Sequence, residues 1–450
     1  MDEWGSEDNP PDWLLFRENC VNVAALFDSA EECRSDINRV EGTSLSAVVR
    51  DESVRAAVKG ADRDAARSAV DICSSKSGTK LPLDFGAATE QGLQAEVPGD
   101  LGDPRPWLEA LSQAVTPRLP PEARITLHYH VNVQNVHILS CHGRDVDEGT
   151  DLRMRWGIAL DVTLPGPTGP IWLERSHAAT LPHLSLPDVP GLISRLGLPE
   201  DLTETWRDRC QPRSPRYGTV TVVLAPKASA LFFHEAVGHT LESEPGQTGA
   251  LHRSGERLTS EPVSVFDDPT LQGGFGSRSI DDRGRPSARI SLVENGRVAG
   301  LLDSGLRPCV RLEDFRHRGA ARMSNTVVQA WSEPSAALSD GGCVICIERL
   351  AEGFLDRKRG RLCFYAFESR EFINGLPGSY LVPFALEAYA PHVLGLLEAV
   401  GGDAQTVSSF CSGSSGRVPV SATAPAVRII NLTARPLNGN ERQVFGLPPV

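Results

Sequence analysis

The spacing of apolar positions changes twice along the chain, near Arg124 and again near Pro215. Before Arg124, Ser29 through Ile37 and Asp51 through Cys73 mix Ala and Val with Arg and Asp at helical spacing, which predicts helices packed on a sheet. Pro104 to Val115 reads as a further helix. From Arg124, Ile125, Leu127, Tyr129, Val131 and Val133 alternate with His128, His130 and Asn132, the period-2 pattern of a half-buried strand, and a second strand follows at Leu152 to Leu164. A helical stretch punctuated by Pro187, Pro190 and Pro199 runs out through Arg213-Ser214-Pro215, where a domain boundary is expected. Beyond it, short strands separated by turn residues predominate, at Thr219–Leu224, Ile290–Leu292, Val298–Leu302, Val344–Leu350, Leu362–Phe367 and Val427–Leu432. Asn295-Gly296 signals a two-residue hairpin. Two helices interrupt the strands, at Lys227–Leu241 and Pro391–Val400. The expected organisation is a mobile arm over 1–15, an α/β domain over 16–214, and a β-rich domain over 215–450 carrying a central metal-binding helix.

Composition narrows the classes of function. A chain of 450 residues exceeds what one core usually supports, which favours two domains. With 40% hydrophobic and 23% charged residues, and 41 Gly and 33 Pro in no fixed period, collagen-like, coiled-coil and wholly disordered chains are excluded. The formal charge of −13 opposes nucleic acid and anionic membrane surfaces as partners. Ten scattered cysteines do not form a disulfide framework and fit reduced thiols. Asp2, Glu3, Glu7 and Asp8 are the opposite of a cationic signal region, and no apolar run approaches the roughly 18 residues of a membrane span. A soluble cytoplasmic protein is expected.

Chemistry concentrates in the helix after Thr219–Leu224, which reads Phe232-Phe233-His234-Glu235-Ala236-Val237-Gly238-His239. Two imidazoles, with a glutamate directly after the first, form a zinc-hydrolase constellation. The ion lowers its water's pKa to about 7 and the carboxylate takes the proton. The spacing, however, is His-Glu-x-x-x-His. In a regular α-helix positions i and i+5 lie about 140° apart and could not share an ion. A π-bulge, with its i to i+5 bond, would bring His234 and His239 onto one face, and Gly238 supplies backbone freedom there. The third ligand of an open zinc site stays undecided between Glu242, Glu244 and a distant cysteine.

The run His234 to Glu242 resembles the signature of the TldD/PmbA metalloprotease family in its active TldD-type branch. Further matches keep the family's order: Asp267-Asp268-Pro269-Thr270, the Gly-rich Gly273 to Gly276, Asp281-Asp282, Val293 to Gly296, Arg322-Met323-Ser324-Asn325-Thr326, and Phe410-Cys411 before the strand at Val427. The resemblance implies His234 and His239 as zinc ligands, Glu235 as the catalytic glutamate and Cys411 as third ligand. It also implies a peptide substrate and pairing with a metal-less PmbA-type (TldE) chain as a heterodimer, with a homodimer as alternative. Asp268, Gly274, Arg322 and Asn325 are candidate substrate contacts. Thr240 and Ser412 depart from the family pattern and bear on substrate choice. The reading is therefore a zinc metallopeptidase acting on unstructured or leader-type peptides. The alternatives are a specialised biosynthetic metallohydrolase and a regulatory subunit of a TldD/PmbA-type heterodimer. If the cavity shares the chain's negative charge, cationic or neutral peptides should enter faster than acidic ones. The basic clusters Arg311–Arg322 and Arg357–Arg361 read as solvated surface, and Cys343-x-x-Cys346 as core packing.

Overall fold

A computed structural model describes residues 12–447 apart from 30–32, 50–51, 79–92, 98, 143–144, 167–170, 181–185, 199–207, 244–249 and 330–337. Two sheets organise it. The first runs β3-β2-β1-β4-β5-β6 and is antiparallel throughout, from β1 (Trp13–Asp28), β2 (Arg34–Val49), β3 (Glu52–Lys59), β4 (Arg124–His142), β5 (Asp145–Leu164) and β6 (Ile171–Thr180).

The first quarter therefore corrects the expected helices. Arg34 to Ile37 lie in β2, and Glu52 to Lys59 form β3 before a helix over Arg63–Ser77. The reason for β2 is tertiary pairing: Arg34 to Arg39 are exposed and have no buried face, yet they pair in register with Leu26 to Val21 of β1. Along β1, Leu15 packs with the Arg63–Ser77 helix, whereas its neighbour Phe16 faces Ile280, Leu312 and Phe315 of the second half. β3 is an edge strand buried on one face only, at Val54 and Ala56, and is too short for that alternation to outweigh the helical spacing of the Ala and Val around it. The expected arm is likewise shortened: β1 begins at Trp13, while residues 1–11 lie outside the described residues. Helices do follow at Arg105–Val115 and Val189–Leu196, where their apolar faces meet β4 and β5 in one core. Because all pairings are antiparallel and the helices do not alternate with strands, this half is α+β rather than α/β.

The second sheet has eleven strands, starting with β7 (Gly218–Leu224). Five of them close a ring: Gly416–Pro436, Phe384–Tyr389, Arg361–Ile373, Cys343–Asp356 and β7, which pairs back with Gly416–Pro436. Asn295-Gly296 joins Ile290–Glu294 to Arg297–Val298, with Val293 opposite Val298. The expected helix at Pro391–Val400 is replaced by a 3₁₀ turn over Ala390–Leu396 followed by the strand Leu397–Gly413. Leu397 and Val400 are buried in the main core of this half and pair with Ile429 and Val427, so tertiary pairing overrides a short helical pattern. Among the described residues no helix is long and apolar enough to cross a membrane.

Candidate metal centre

β7 ends at Leu224, and Pro226 opens a helix over Pro226–Phe233, a favourable place for proline because the first helical N–H needs no partner. Phe232 and Phe233 are buried and meet edge to face at 5.5 Å, which fixes the helix in the core. His234–His239 then form a π-helical turn, the widening that the His-Glu-x-x-x-His spacing demands. Gly238 serves a different purpose from the one read in the sequence: a Cβ there would fall 1.5 Å from Sδ of Met323, so the residue is small because another strand's neighbour packs against it. Thr240 is fully buried and its hydroxyl donates to the carbonyls of Ala236 and Val237 at 2.8 and 2.9 Å. It closes the helix and does not face substrate.

The turn places the two imidazoles at right angles, with centroids 5.1 Å apart. Cys411, on the strand Leu397–Gly413, puts its Sγ 3.2 Å from Nε2 of His239. One donor atom from each of His234, His239 and Cys411 lies within 4.8 Å of the others. Tetrahedral zinc with nitrogen and thiolate ligands holds its donors roughly 3.3–3.7 Å apart, so little contraction is needed. Nδ1 of His234 is buried without a hydrogen-bond partner among the described residues. Such an orphan costs on the order of 1–3 kcal/mol unless a further group takes it. The donor set fits a metal ion.

Electrostatics agree. Burial alone would raise the Cys411 thiol, but the His239 and His234 imidazoles bring it down to about 4, into the thiolate form a metal needs. Burial would lower His239, yet Glu242 and Glu235 raise it well above the ordinary imidazole value. Glu235, 3.9 Å from Nε2 of His239, is held above the ordinary carboxylate range by burial, partly offset by His239 and His234. Glu242 accepts from Nδ1 of His239 at 2.9 Å, which turns Nε2 toward the cluster. Of the three candidates for third ligand, Cys411 joins the cluster, Glu242 stands behind His239, and Glu244 lies outside the described residues.

Two arginines brace this arrangement. Arg322 donates to the carbonyl of Cys411 at 2.8 Å and to Ser415 Oγ at 3.0 Å, holding the hairpin tip that carries the thiol. Arg357 donates to the His239 carbonyl and to Glu242 Oε2. The sequence reading missed Arg357 by assigning its cluster to solvated surface, since nothing local shows that its turn folds back over the π-helix. Likewise Arg311 is buried and donates to the carbonyl of Met323, whereas Arg316 and Arg318 of the same cluster are exposed, as that reading expected. Cys343, read as core packing, is exposed.

A cavity of about 1080 Å³ opens over His234, Glu235, His239 and Cys411, and Arg322 and Ser412 line it. Asp268, Gly274 and Asn325 do not. The Asn325 amide donates to the Asp268 carbonyl and Ser277 Oγ, and its oxygen accepts from Gly276 N and Ser421 Oγ. Asp268 Oδ1 accepts from Thr270, and a Cβ at Gly274 would strike the Asn325 amide at 2.7 Å. These three hold a loop together, with their polar atoms consumed inside it.

A family model described as PmbA/TldA metallopeptidase C-terminal domain matches residues 217–435. Over 232 residues the chain is 31% identical to a metalloprotease of Methanothermobacter thermautotrophicus, covering 48% of this chain and 50% of that protein. Over 238 residues it is 23% identical to the zinc metalloprotease TldD homolog of Saccharolobus solfataricus, covering 49% and 52%. The chain thus spans about half the length of these curated relatives. The crystal structure of TldE from Thermococcus kodakarensis shares the fold, with a TM-score of 0.68 at 14% identity over 94% of this chain and 96% of that one. With its second half matched in sequence and its strand-rich architecture matched nearly end to end, the chain belongs to the PmbA/TldD metallopeptidase family.

Proposed function

We propose that this chain is a zinc-dependent metallopeptidase that hydrolyses unstructured or leader-type peptides, organised as residues 16–214 and a catalytic unit over 215–450. The observation that carries the reading is the convergence of His234, His239 and Cys411 beside Glu235 on one cavity wall. Two nitrogens and a thiolate suit zinc, as does the name of the Saccharolobus solfataricus relative. The ion, when bound, supplies Lewis acidity and lowers the pKa of a water. Glu235 accepts that water's proton and returns it to the leaving amine, and its raised pKa suits both duties. Glu242, oriented by Arg357, holds His239 in the ligating tautomer. Pairing with a TldE-type chain or a second copy follows from family membership. All ten cysteines are free, which supports a reducing, cytoplasmic setting.

The complete donor set opposes a purely regulatory role, and the buried Thr240 removes one of the two departures that favoured a specialised metallohydrolase. Glu235→Gln decides the mechanism. The variant should keep stoichiometric zinc while cleavage of an unstructured peptide library falls by about 10²–10⁴-fold. Retained cleavage would overturn the assignment. In parallel, Cys411→Ser should lose zinc.

A further inference from the structure

The cavity has a second charged centre away from the ligand cluster. Glu368 is buried and accepts two hydrogen bonds from Arg175 at 2.8 and 3.1 Å, one from Arg209 at 3.1 Å and one from Arg349 at 3.1 Å. Arg349 also donates to Glu174 at 3.0 Å, and Arg209 lies 3.7 Å from Glu348. Every carboxylate of this group is therefore already engaged. Lys227 lines the same cavity and has no hydrogen-bond or ion-pair partner among the described residues. Burial, then Arg175, lowers its pKa, while Glu368 acts the other way. Arg175, Arg209 and Arg349 each have a carboxylate partner, whereas Lys227, a half-buried amine facing the cavity, has none among the described residues. A half-buried cation without a partner is costly unless an anion completes the site.

Lys227 and His234 are on one helical run, seven residues apart. At 1.5 Å per residue that separation is about 10 Å. An extended peptide of three residues spans about the same distance, at roughly 3.3 Å each.

We propose that Lys227, with Arg175 beside it, binds the C-terminal carboxylate of the peptide, so that hydrolysis releases short C-terminal fragments of about three residues. The fragment length rests on the peptidase reading above; the carboxylate site does not. The reaction is ordinary hydrolysis. Water adds its oxygen to the scissile carbonyl carbon, the C–N bond breaks, and the proton held by Glu235 passes to the new amine. An anchor of this kind selects a free chain end and needs no side-chain specificity.

The test uses the zinc-loaded full chain carrying Glu235→Gln, with an N-terminally fluorescein-labelled unstructured decapeptide in three forms: free acid, C-terminal amide, and amide ending in Asp. Fluorescence anisotropy should show the free acid binding at least tenfold more tightly than either amide. Adding Lys227→Met should bring the three within about twofold at unchanged zinc content and melting temperature, and Lys227→Arg should restore the preference. Equal affinity for acid and amide, or a preference that survives Lys227→Met, overturns the proposal. So does rescue by the terminal Asp, which would mean that any carboxylate suffices. Mass spectrometry of wild-type digests separates the two readings. Acid-selective binding without cleavage keeps this site and removes the peptidase, whereas cleavage without selectivity does the reverse.

Discussion

Cys411 and His239 exchange the roles that their free side chains would have at neutral pH. The thiol is ionised, at about 4, and the imidazole keeps its proton because Glu242 and Glu235 outweigh burial. Metal must therefore displace a proton from His239 rather than from Cys411, and zinc affinity should rise with pH until His239 has lost it. Calorimetric titration of the metal-free protein with zinc at pH 7, repeated in buffers of different ionisation enthalpy, should show close to one proton released per ion. A neutral thiol beside a neutral imidazole would release one as well, so the thiolate is read separately, from its ultraviolet absorbance before zinc is added; absence of that band would mean that the thiol is still protonated. At this scale the sequence displayed His234, Glu235 and His239 directly. It left the third member of the cluster open because Cys411 is 172 positions from His239, and no local pattern reports such a contact.

The π-helical turn shows what an element adds to its residues. The His-Glu-x-x-x-His spacing required a widened helix, and Gly238 drew attention, but its necessity comes from Met323 on the facing segment. Gly238→Ala should cost about 1–3 kcal/mol by overpacking and weaken zinc binding. Combining it with Met323→Ala should return zinc affinity toward the wild-type value, measured by chelator competition. If the double variant binds no better than Gly238→Ala, the strain arises in the turn itself. Element type was legible in the long alternating stretch of β4, Ile125 to Val133. It was misread in β2, whose Arg34 to Arg39 are exposed and held only by pairing with β1, in the short edge strand β3, and at Leu397–Gly413, where pairing with Gly416–Pro436 prevails over local preference.

Across the whole molecule, the two sheets are joined through buried polar groups. Arg153 pairs with Asp282 at 2.7 Å, and Glu18 on β1 accepts from the backbone N–H of Phe315 at 2.6 Å. Burial raises Glu18 to about 7, against 4.5 for the free side chain. An acid whose folded pKa is raised favours its neutral form, so stability is full below about 4.5 and declines as pH rises to about 7. The loss is on the order of 3 kcal/mol at 1.36 kcal/mol per unit. Glu18→Gln should flatten the melting temperature over that window and raise it at pH 8; an unchanged decline would place the titrating group elsewhere. The overall −13 charge, by contrast, is not concentrated in the cavity, whose lining carries six basic side chains and six glutamates. The lining is therefore balanced rather than negative, and the proposed selectivity rests on Lys227, to which no carboxylate is bonded among the described residues.

The sequence by itself determined the His-Glu-x-x-x-His pattern of the helix and the need for a π-turn, because both depend on spacing within one element. It also carried the family resemblance that the comparisons bear out. Only the tertiary structure decided that Cys411 meets His239, that Asp268, Gly274 and Asn325 brace a loop rather than line the cavity, and that Arg357 and Lys227 face it. Those outcomes depend on which distant strands pair, and pairing is fixed by burial of whole faces, a property no local window of sequence contains.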